Sequence, residues 1–144
     1  MYLPDTNVVS ELRKARAGKA DRRVAAWASG VPVGALFLSM VAVQELEMGV
    51  LLAERRDPSH GRLLRTWLEA HVLRAFAERI LPIDTMIARR SARLHVPGPR
   101  PIRDALIAGT ALVHGMTLVT RDVVDFAPTG VPVLTPWEEG GTIA

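Results

Sequence analysis

The sequence contains no cysteine, and that absence removes several classes of site at once. Without thiols there is no disulfide, thiolate zinc site, iron–sulfur cluster or cysteine nucleophile. Aromatic residues make up only 5% of the chain, which argues against a platform for stacking single-stranded bases. No apolar run approaches the roughly 20 residues of a membrane span. Nor does a basic-then-apolar leader open the chain. We therefore expect a soluble cytoplasmic protein with no membrane partner.

Lysine is nearly absent. Lys14 and Lys19 are the two lysines among 18 basic residues, and the rest are arginines. Neither lysine lies in a G-x-x-x-x-G-K-S/T motif, which excludes a P-loop, and both precede residue 20. Phosphoaspartate receivers and aspartate-nucleophile phosphatases need a lysine late in the chain, so they do not fit either. Arginine suits bidentate phosphate contacts. A formal net charge of +3 is nevertheless mild and is also typical of an ordinary solvated surface.

Apolar residues are plentiful enough for a core, at 49% of 144 residues. The length is that of one domain, and we predict a single domain over residues 1–144. Short apolar segments alternate with helical patterns, and most of them lack polar residues at every second position. This combination predicts an α/β fold with a parallel sheet covered by helices on both faces. The predicted strands cover residues 2–3, 34–39, 80–83, 116–120 and 131–134.

Several acidic residues lie at or near the carboxyl ends of these strands, where open parallel sheets bind ligands. Each one alone is explained by an ordinary helix cap, turn or solvated surface. Together they would repel one another unless a divalent cation neutralised them. Oxygen ligands alone suit Mg²⁺ or Mn²⁺, and metal-assisted phosphodiester hydrolysis is the chemistry that remains. The acids are Asp5, Glu45, Asp104 and Asp122, with Asp125 as a possible additional acid.

Four segments in chain order resemble the motifs of PIN-domain proteins. They read DTNVVSEL from residue 5, SMVAVQELEMG from residue 39, DALIAGTA from residue 104 and LVTRDVVDF from residue 118. A closing TGVPVLTPW from residue 129 is similar to the tail of the VapC/FitB toxin branch. Each motif alone is weak, but four in order, over residues 2 to 137, make the resemblance specific.

The resemblance implies a three-layer PIN-like fold with a parallel sheet of about five strands. It implies a ribonuclease toxin of a type II toxin–antitoxin pair that uses Mg²⁺ or Mn²⁺ and acts on tRNA, rRNA or mRNA. It further implies a homodimer and a VapB/FitA-like antitoxin that binds operator DNA and blocks the acidic site.

The family's acidic quartet matches Asp5, Glu45, Asp104 and Asp122, which the resemblance makes both catalytic and metal-binding. We rank Asp122 above Asp125 as the fourth acid, although some relatives carry asparagine at that first position. Supporting polar positions match Thr6, Ser39 and Thr120. The chain departs from the pattern by carrying proline just before Asp5 and a shorter segment before Asp104.

Our hypothesis is that Asp5 and Asp104 bind the metal directly, with Glu45 and Asp122 acting partly through water. Hydrolysis would leave a 5′-phosphate and a 3′-hydroxyl. Three nearby arginines are candidates for holding the RNA backbone: Arg100, Arg103 and Arg121. Two alternatives remain open, a non-catalytic PIN-like binding module and, with less support, a DNA nuclease.

Overall fold

A parallel sheet of five short strands runs through the fold, and a sixth strand extends it in the opposite direction. The computed structural model describes residues 1–138 and 142–143. The parallel strands are β1 (Tyr2–Pro4), β2 (Leu38–Ser39), β3 (Ile80–Leu81), β4 (Thr117–Val119) and β5 (Val133–Thr135), and the antiparallel strand is β6 (Thr142–Ile143).

The strands form two ladders, β1–β4–β5–β6 and β2–β3, which a single parallel bridge joins into the order β3–β2–β1–β4–β5–β6. β1 pairs with β4 along its length, so that Leu3 faces Leu118 across the ladder. On the other side of β1, Tyr2 pairs with Leu36 just before β2, and the Tyr2 carbonyl accepts from the Phe37 N–H at 2.9 Å. β1 is therefore central, although proline ends it, because Pro4 is the last residue before the chain leaves the sheet.

Helices connect the strands and cover both faces of the sheet. Four of them begin at an acidic residue whose side chain accepts a backbone N–H of the first turn, and a fifth begins in the same way at Ser39. The helices are α1 (Thr6–Arg13), α2 (Arg22–Ser29), α3 (Met40–Arg56), α4 (Pro58–Thr66), α5 (Thr85–Arg93), α6 (Ile102–His114) and α7 (Val123–Phe126).

Alternate residues of the strands enter separate cores, which makes the fold three-layered. Leu3 and Leu118 pack on one face in a cluster with apolar residues of α6 and with Leu94, which follows α5. Their neighbour Val119 packs with Val8 of α1 on the other face. A further apolar cluster joins α1 and α3 to the segment after α4. The α/β fold with about five parallel strands is confirmed.

Three predicted segments differ from the structure. Residues 34–39 are not one strand, because Pro32, with φ of −59°, leads into a 3₁₀ turn at Val33–Ala35 and β2 begins only at Leu38. The apolar spacing of residues 58–79 predicts one helix, but the helix that begins at Pro58 is regular only to Thr66 and continues as a π-helical segment, Trp67–Leu73. The last parallel strand begins at Val133 rather than at residue 131, since Pro132 has no N–H to donate.

Among the described residues, no helix is both long enough and apolar enough to cross a bilayer.

Candidate functional site

Asp5 lies between the end of β1 and the start of α1. It is almost fully buried, with 6% of the residue exposed. Its main-chain N–H donates to the Val119 carbonyl at 2.9 Å. One carboxylate oxygen accepts from the Val8 N–H at 3.1 Å, and the other accepts from the Thr120 hydroxyl at 2.5 Å. Asp5 is thus both the N-cap of α1 and the buried centre of the predicted acidic site.

Burial raises the pKa of Asp5 to about 6 from an ordinary value of 3.8. The hydrogen bonds from Thr120 and Val8 oppose this rise because they stabilise the charged form. The charges of Asp122 and Glu45 add to it. The carboxylate of Asp5 is therefore held in a position where a negative charge is costly.

Glu45 reaches the same region from α3. Its Oε1 accepts from the Thr6 hydroxyl at 2.8 Å, and its Oε2 lies 3.5 Å from Nη1 of Arg103. Ser39 does not touch the acids. Its buried hydroxyl oxygen accepts from the Ala42 N–H at 3.0 Å and so fixes the start of the helix that carries Glu45.

Asp104 lies in the first turn of α6, where the helix dipole favours a negative charge. Its pKa is nevertheless raised, first by burial and then by the nearby charges of Asp125, Asp122 and Glu45. These electrostatic couplings place the acids of α3, α6 and the β4–α7 connection around one region.

Asp122 and Asp125 both belong to this region, and both are exposed. The Asp122 N–H donates to the Thr120 hydroxyl oxygen at 3.0 Å, which ties the connection after β4 to the residue that holds Asp5. Asp122 raises the pKa of both Asp5 and Asp104, whereas Asp125 acts on Asp104, where its effect is the larger of the two. The ranking of Asp122 above Asp125 stays a prediction.

The three predicted arginines differ in their surroundings. Arg103 is the one that pairs with a site acid, Glu45. Arg100 donates from Nε to the Leu94 carbonyl at 2.7 Å. The guanidinium of Arg121 lies 5.2 Å from the ring centroid of Trp137, a cation–π partner that the sequence reasoning did not predict although Trp137 closes the last motif.

The donor set fits a hard divalent cation, because every candidate ligand is an oxygen. Among the described residues, however, no three acidic or histidine side chains are arranged to hold one ion by themselves. Mg²⁺ usually binds proteins through one or two carboxylates and retains several waters. The arrangement therefore suits a partly hydrated ion rather than a closed protein cage.

An open cleft lies beside the acids, between α3 and α6, with a volume of about 680 Å³. Arg103 lines this cleft and also pairs with Glu45, so it lies between the cleft and the acidic region. Its other walls are largely apolar and include Met40, Met48, Ile102 and Leu106.

Known proteins resemble this chain over nearly its whole length. VapC ribonuclease Y4jK of Sinorhizobium fredii is 36% identical over 143 residues, covering 96% of this chain and 99% of that protein. Toxin FitB of Neisseria gonorrhoeae is 35% identical over 149 residues, covering 96% of this chain and all of that protein.

Solved structures share the fold over nearly the whole chain. The crystal structure of FitAcB from Neisseria gonorrhoeae has a TM-score of 0.87 and 34% identity, with 96% of this chain and 99% of the matched chain covered. A toxin–antitoxin complex from Klebsiella pneumoniae has a TM-score of 0.69 and 29% identity, with the same coverage of each chain. Residues 2–127 match the PIN domain family. With its acids assembled at the carboxyl ends of a parallel sheet, the chain belongs to the PIN-domain family.

Proposed function

We propose that this chain is a metal-dependent endoribonuclease, the toxin of a type II toxin–antitoxin pair, which hydrolyses RNA at its acidic cluster. The observation that carries the proposal is the charge imbalance of the site. Acids from four separate parts of the chain meet there, and within the described residues only Glu45 of the quartet has a basic partner. Such a cluster is unfavourable for folding, so its presence argues for a bound cation.

Mg²⁺ or Mn²⁺ bound here would supply Lewis-acid activation of water and neutralise charge on the scissile phosphate. Asp5 and Asp104 would hold the ion directly, with Glu45 and Asp122 acting partly through water. Thr120 and Thr6 orient these ligands through the hydrogen bonds already described. Because no histidine takes part, the expected products carry a 5′-phosphate and a 3′-hydroxyl.

The relatives support the choice of reaction and of partner. A relative covered over nearly its full length is a VapC ribonuclease, and one structural neighbour is a toxin–antitoxin complex. We infer that a VapB/FitA-like antitoxin inhibits this chain and that the pair binds operator DNA. A homodimer in the cytoplasm, acting on tRNA, rRNA or mRNA, completes the proposal.

The test is RNA cleavage by purified, antitoxin-free protein with Mg²⁺, Mn²⁺ or EDTA. Asp5→Asn should abolish cleavage, because it removes the buried charge while keeping an N-cap side chain. Asp84→Asn is the matched control. Asp84 also caps a helix, accepting the Ile87 N–H at 2.9 Å, but it has no part in the acidic site. Cleavage should need metal, survive Asp84→Asn and yield 5′-phosphates.

Other outcomes would point elsewhere. Cyclic-phosphate ends would contradict the metal mechanism. Cleavage of single-stranded DNA in preference to every RNA tested would identify a DNA nuclease. A folded wild type that cleaves no nucleic acid and binds no Mn²⁺ would identify the binding module.

A further inference from the structure

Basic side chains are concentrated in two segments of the chain, residues 13–23 and residues 85–103. Residues 85–103 contain five arginines and no acid, whereas the rest of the chain carries 13 basic and 15 acidic side chains. Residues 13–23 carry six basic residues and one acid, so each segment has a net charge of +5, but only residues 85–103 lack an acid. The net charge of the whole chain does not reveal this uneven distribution of basic residues. Contact of Arg103 with the RNA backbone does not explain the other arginines of residues 85–103.

Three of these arginines surround a second cleft, of about 240 Å³. Arg89 and Arg93 are exposed and lie one helical turn apart, about 6 Å along α5. Arg90 is half-buried beside them. Within the described residues none of the three forms an ion pair. The remaining lining residues are Thr85, Met86 and Val113.

The α5–α6 hairpin carries the second cleft along α5 and, at the start of α6, Arg103 and Asp104. Ser91 of α5 packs against Gly109 near the middle of α6, where an added Cβ would lie 2.9 Å from the serine Cβ. The Arg100 side chain donates to the Leu94 carbonyl, and its N–H donates to Nδ1 of His95 at 3.2 Å. These contacts join the end of α5 to the connection that begins α6, immediately before Arg103 and Asp104.

The hairpin thus carries basic side chains from the acidic site towards the far end of α6. Val113, which lines the second cleft, is nine residues beyond Asp104, or about 14 Å along the helix. A track of this kind matches a polymer with regularly repeated negative charge. Planar guanidinium groups bind phosphate through two parallel hydrogen bonds, which favours a nucleic-acid backbone over an acidic peptide.

We propose that Arg89, Arg90 and Arg93 form a binding site for the phosphodiester backbone of single-stranded RNA, outside the acidic cleft. The inference rests on the proposed ribonuclease function, because it supplies the strand that enters the acidic site. It also explains how RNA binds near a cluster of carboxylates that repels it. The three arginines attract the flanking phosphates without touching the reacting bond.

The test measures binding without cleavage. Fluorescein-labelled oligouridylate is titrated with the Asp5→Asn protein in EDTA over a range of salt concentrations. The triple variant Arg89→Gln, Arg90→Gln, Arg93→Gln is compared with a triple Arg→Gln variant at Arg55, Arg56 and Arg62. The control positions are exposed and without ion pairs among the described residues, and they lie on α3 and α4. Thermal melting confirms that both variants fold.

The α5 variant should bind more weakly, and its plot of log affinity against log salt should be shallower by about 2, since each single-strand phosphate contact contributes roughly 0.7. The control should leave the slope unchanged. Equal losses in both variants, or no loss in the α5 variant, would overturn the site. So would a change of oligomeric state, which would mark α5 as an interface between copies.

A macromolecule of another class gives a different result. Tighter binding of an oligoglutamate peptide than of oligouridylate, lost in the α5 variant, would overturn the RNA assignment in favour of an acidic protein segment. The outcome is independent of catalysis. If the wild type cleaves RNA only with metal but the Asp5→Asn protein does not bind oligouridylate, the proposed function is supported. The arginine binding site alone is then contradicted.

Discussion

Thr120 donates its hydroxyl to the carboxylate of Asp5, although the two residues are 115 positions apart in the sequence. Both are fully or almost fully buried, at 0% and 6% exposure. Thr120 follows β4 as Asp5 follows β1, and the two strands pair in parallel. The same hydroxyl oxygen accepts the Asp122 N–H. One threonine side chain therefore joins two of the four predicted acids.

Thr120→Val should raise the pKa of Asp5 further and weaken metal binding. Valine keeps the shape of the side chain but cannot donate the hydrogen bond that stabilises the charged carboxylate. It also leaves the Asp122 N–H without its acceptor, so unfolding should become easier by about 1–3 kcal/mol. Titration of Asp5 by NMR and chemical denaturation measure the two effects. Thr120→Ser, which keeps the hydroxyl, should resemble wild type, and equal pKa values in both variants would contradict the assigned role.

The metal-free protein should lose stability from Asp5 as pH rises. The folded-state pKa of about 6 lies above the ordinary 3.8, so the folded state binds this proton more tightly than the unfolded state. The contribution is fully present below about pH 4 and is lost as pH rises through 6, amounting to roughly 3 kcal/mol. Asp104, whose pKa is also raised, acts in the same direction.

Denaturation of wild type and Asp5→Asn between pH 4 and 8 isolates this contribution. The variant should gain stability relative to wild type as pH rises through the folded-state pKa of about 6. Glu11 and Glu54, whose pKa values are lowered, oppose the trend equally in both proteins and so cancel in the difference. A difference that stays flat with pH would contradict the burial of a charged Asp5.

Arg103→Gln should tighten Mn²⁺ binding while changing stability little. Arg103 is half-exposed and lies 3.5 Å from Glu45, so the ion pair itself contributes at most about 1 kcal/mol. Its removal takes a positive charge away from the acids, and a gain in Mn²⁺ affinity of about fivefold is expected, the equivalent of the ~1 kcal/mol between unit charges about 4 Å apart in water. Calorimetric titration measures the gain. Arg62→Gln, remote from the acids, should leave the affinity unchanged, and a matching gain there would show that net charge alone is responsible.

Two glycines of the α3–α4 pair should respond in opposite ways to alanine. A Cβ at Gly61 would lie 2.4 Å from Cα of Glu54 and 2.7 Å from its backbone nitrogen, so the helices would have to separate. We expect Gly61→Ala to cost about 1–3 kcal/mol. Gly49 has open space around its Cβ position, and Gly49→Ala should stabilise its helix by about 0.5–1 kcal/mol. Thermal melts compare the two, and similar losses in both would contradict the close approach at Gly61.

The approximate location of the acids could be predicted from the sequence, because that prediction does not require the order of the strands in the sheet. Parallel strands end at a common edge, so any acid that follows an apolar segment is directed there. Asp5 can be both a helix N-cap and a site acid, because its two carboxylate oxygens have different partners. One oxygen accepts from the Val8 N–H of the helix, and the other accepts from the Thr120 hydroxyl. Sequence did not distinguish Asp122 from Asp125, because they are three residues apart on a short helical turn and act on different neighbours.

Other features had no local signal. The apolar spacing of residues 58–79 fits an α-helix and gives no sign of the π-helical segment at Trp67–Leu73, whose Leu68 and Val72 pack with residues of α1 and α3. The antiparallel strand β6 was not predicted, because two residues show no periodicity. Two contacts join segments that are distant or irregular in the sequence, and they became evident only in the structure. They are the hydrogen bond from Thr6 to Glu45 and the cation–π contact of Arg121 with Trp137.

The central position of β1 sets the order of events during synthesis. Its partner β4 is translated more than a hundred residues later. Tyr2 pairs with Thr117, and the Asp5 N–H donates to the Val119 carbonyl. A nascent chain of the first hundred residues carries Asp5 and Glu45 but has no Thr120 to orient the carboxylate. Contacts between such distant segments also slow folding. Synthesis must therefore reach at least Asp122 before the four predicted acids can come together.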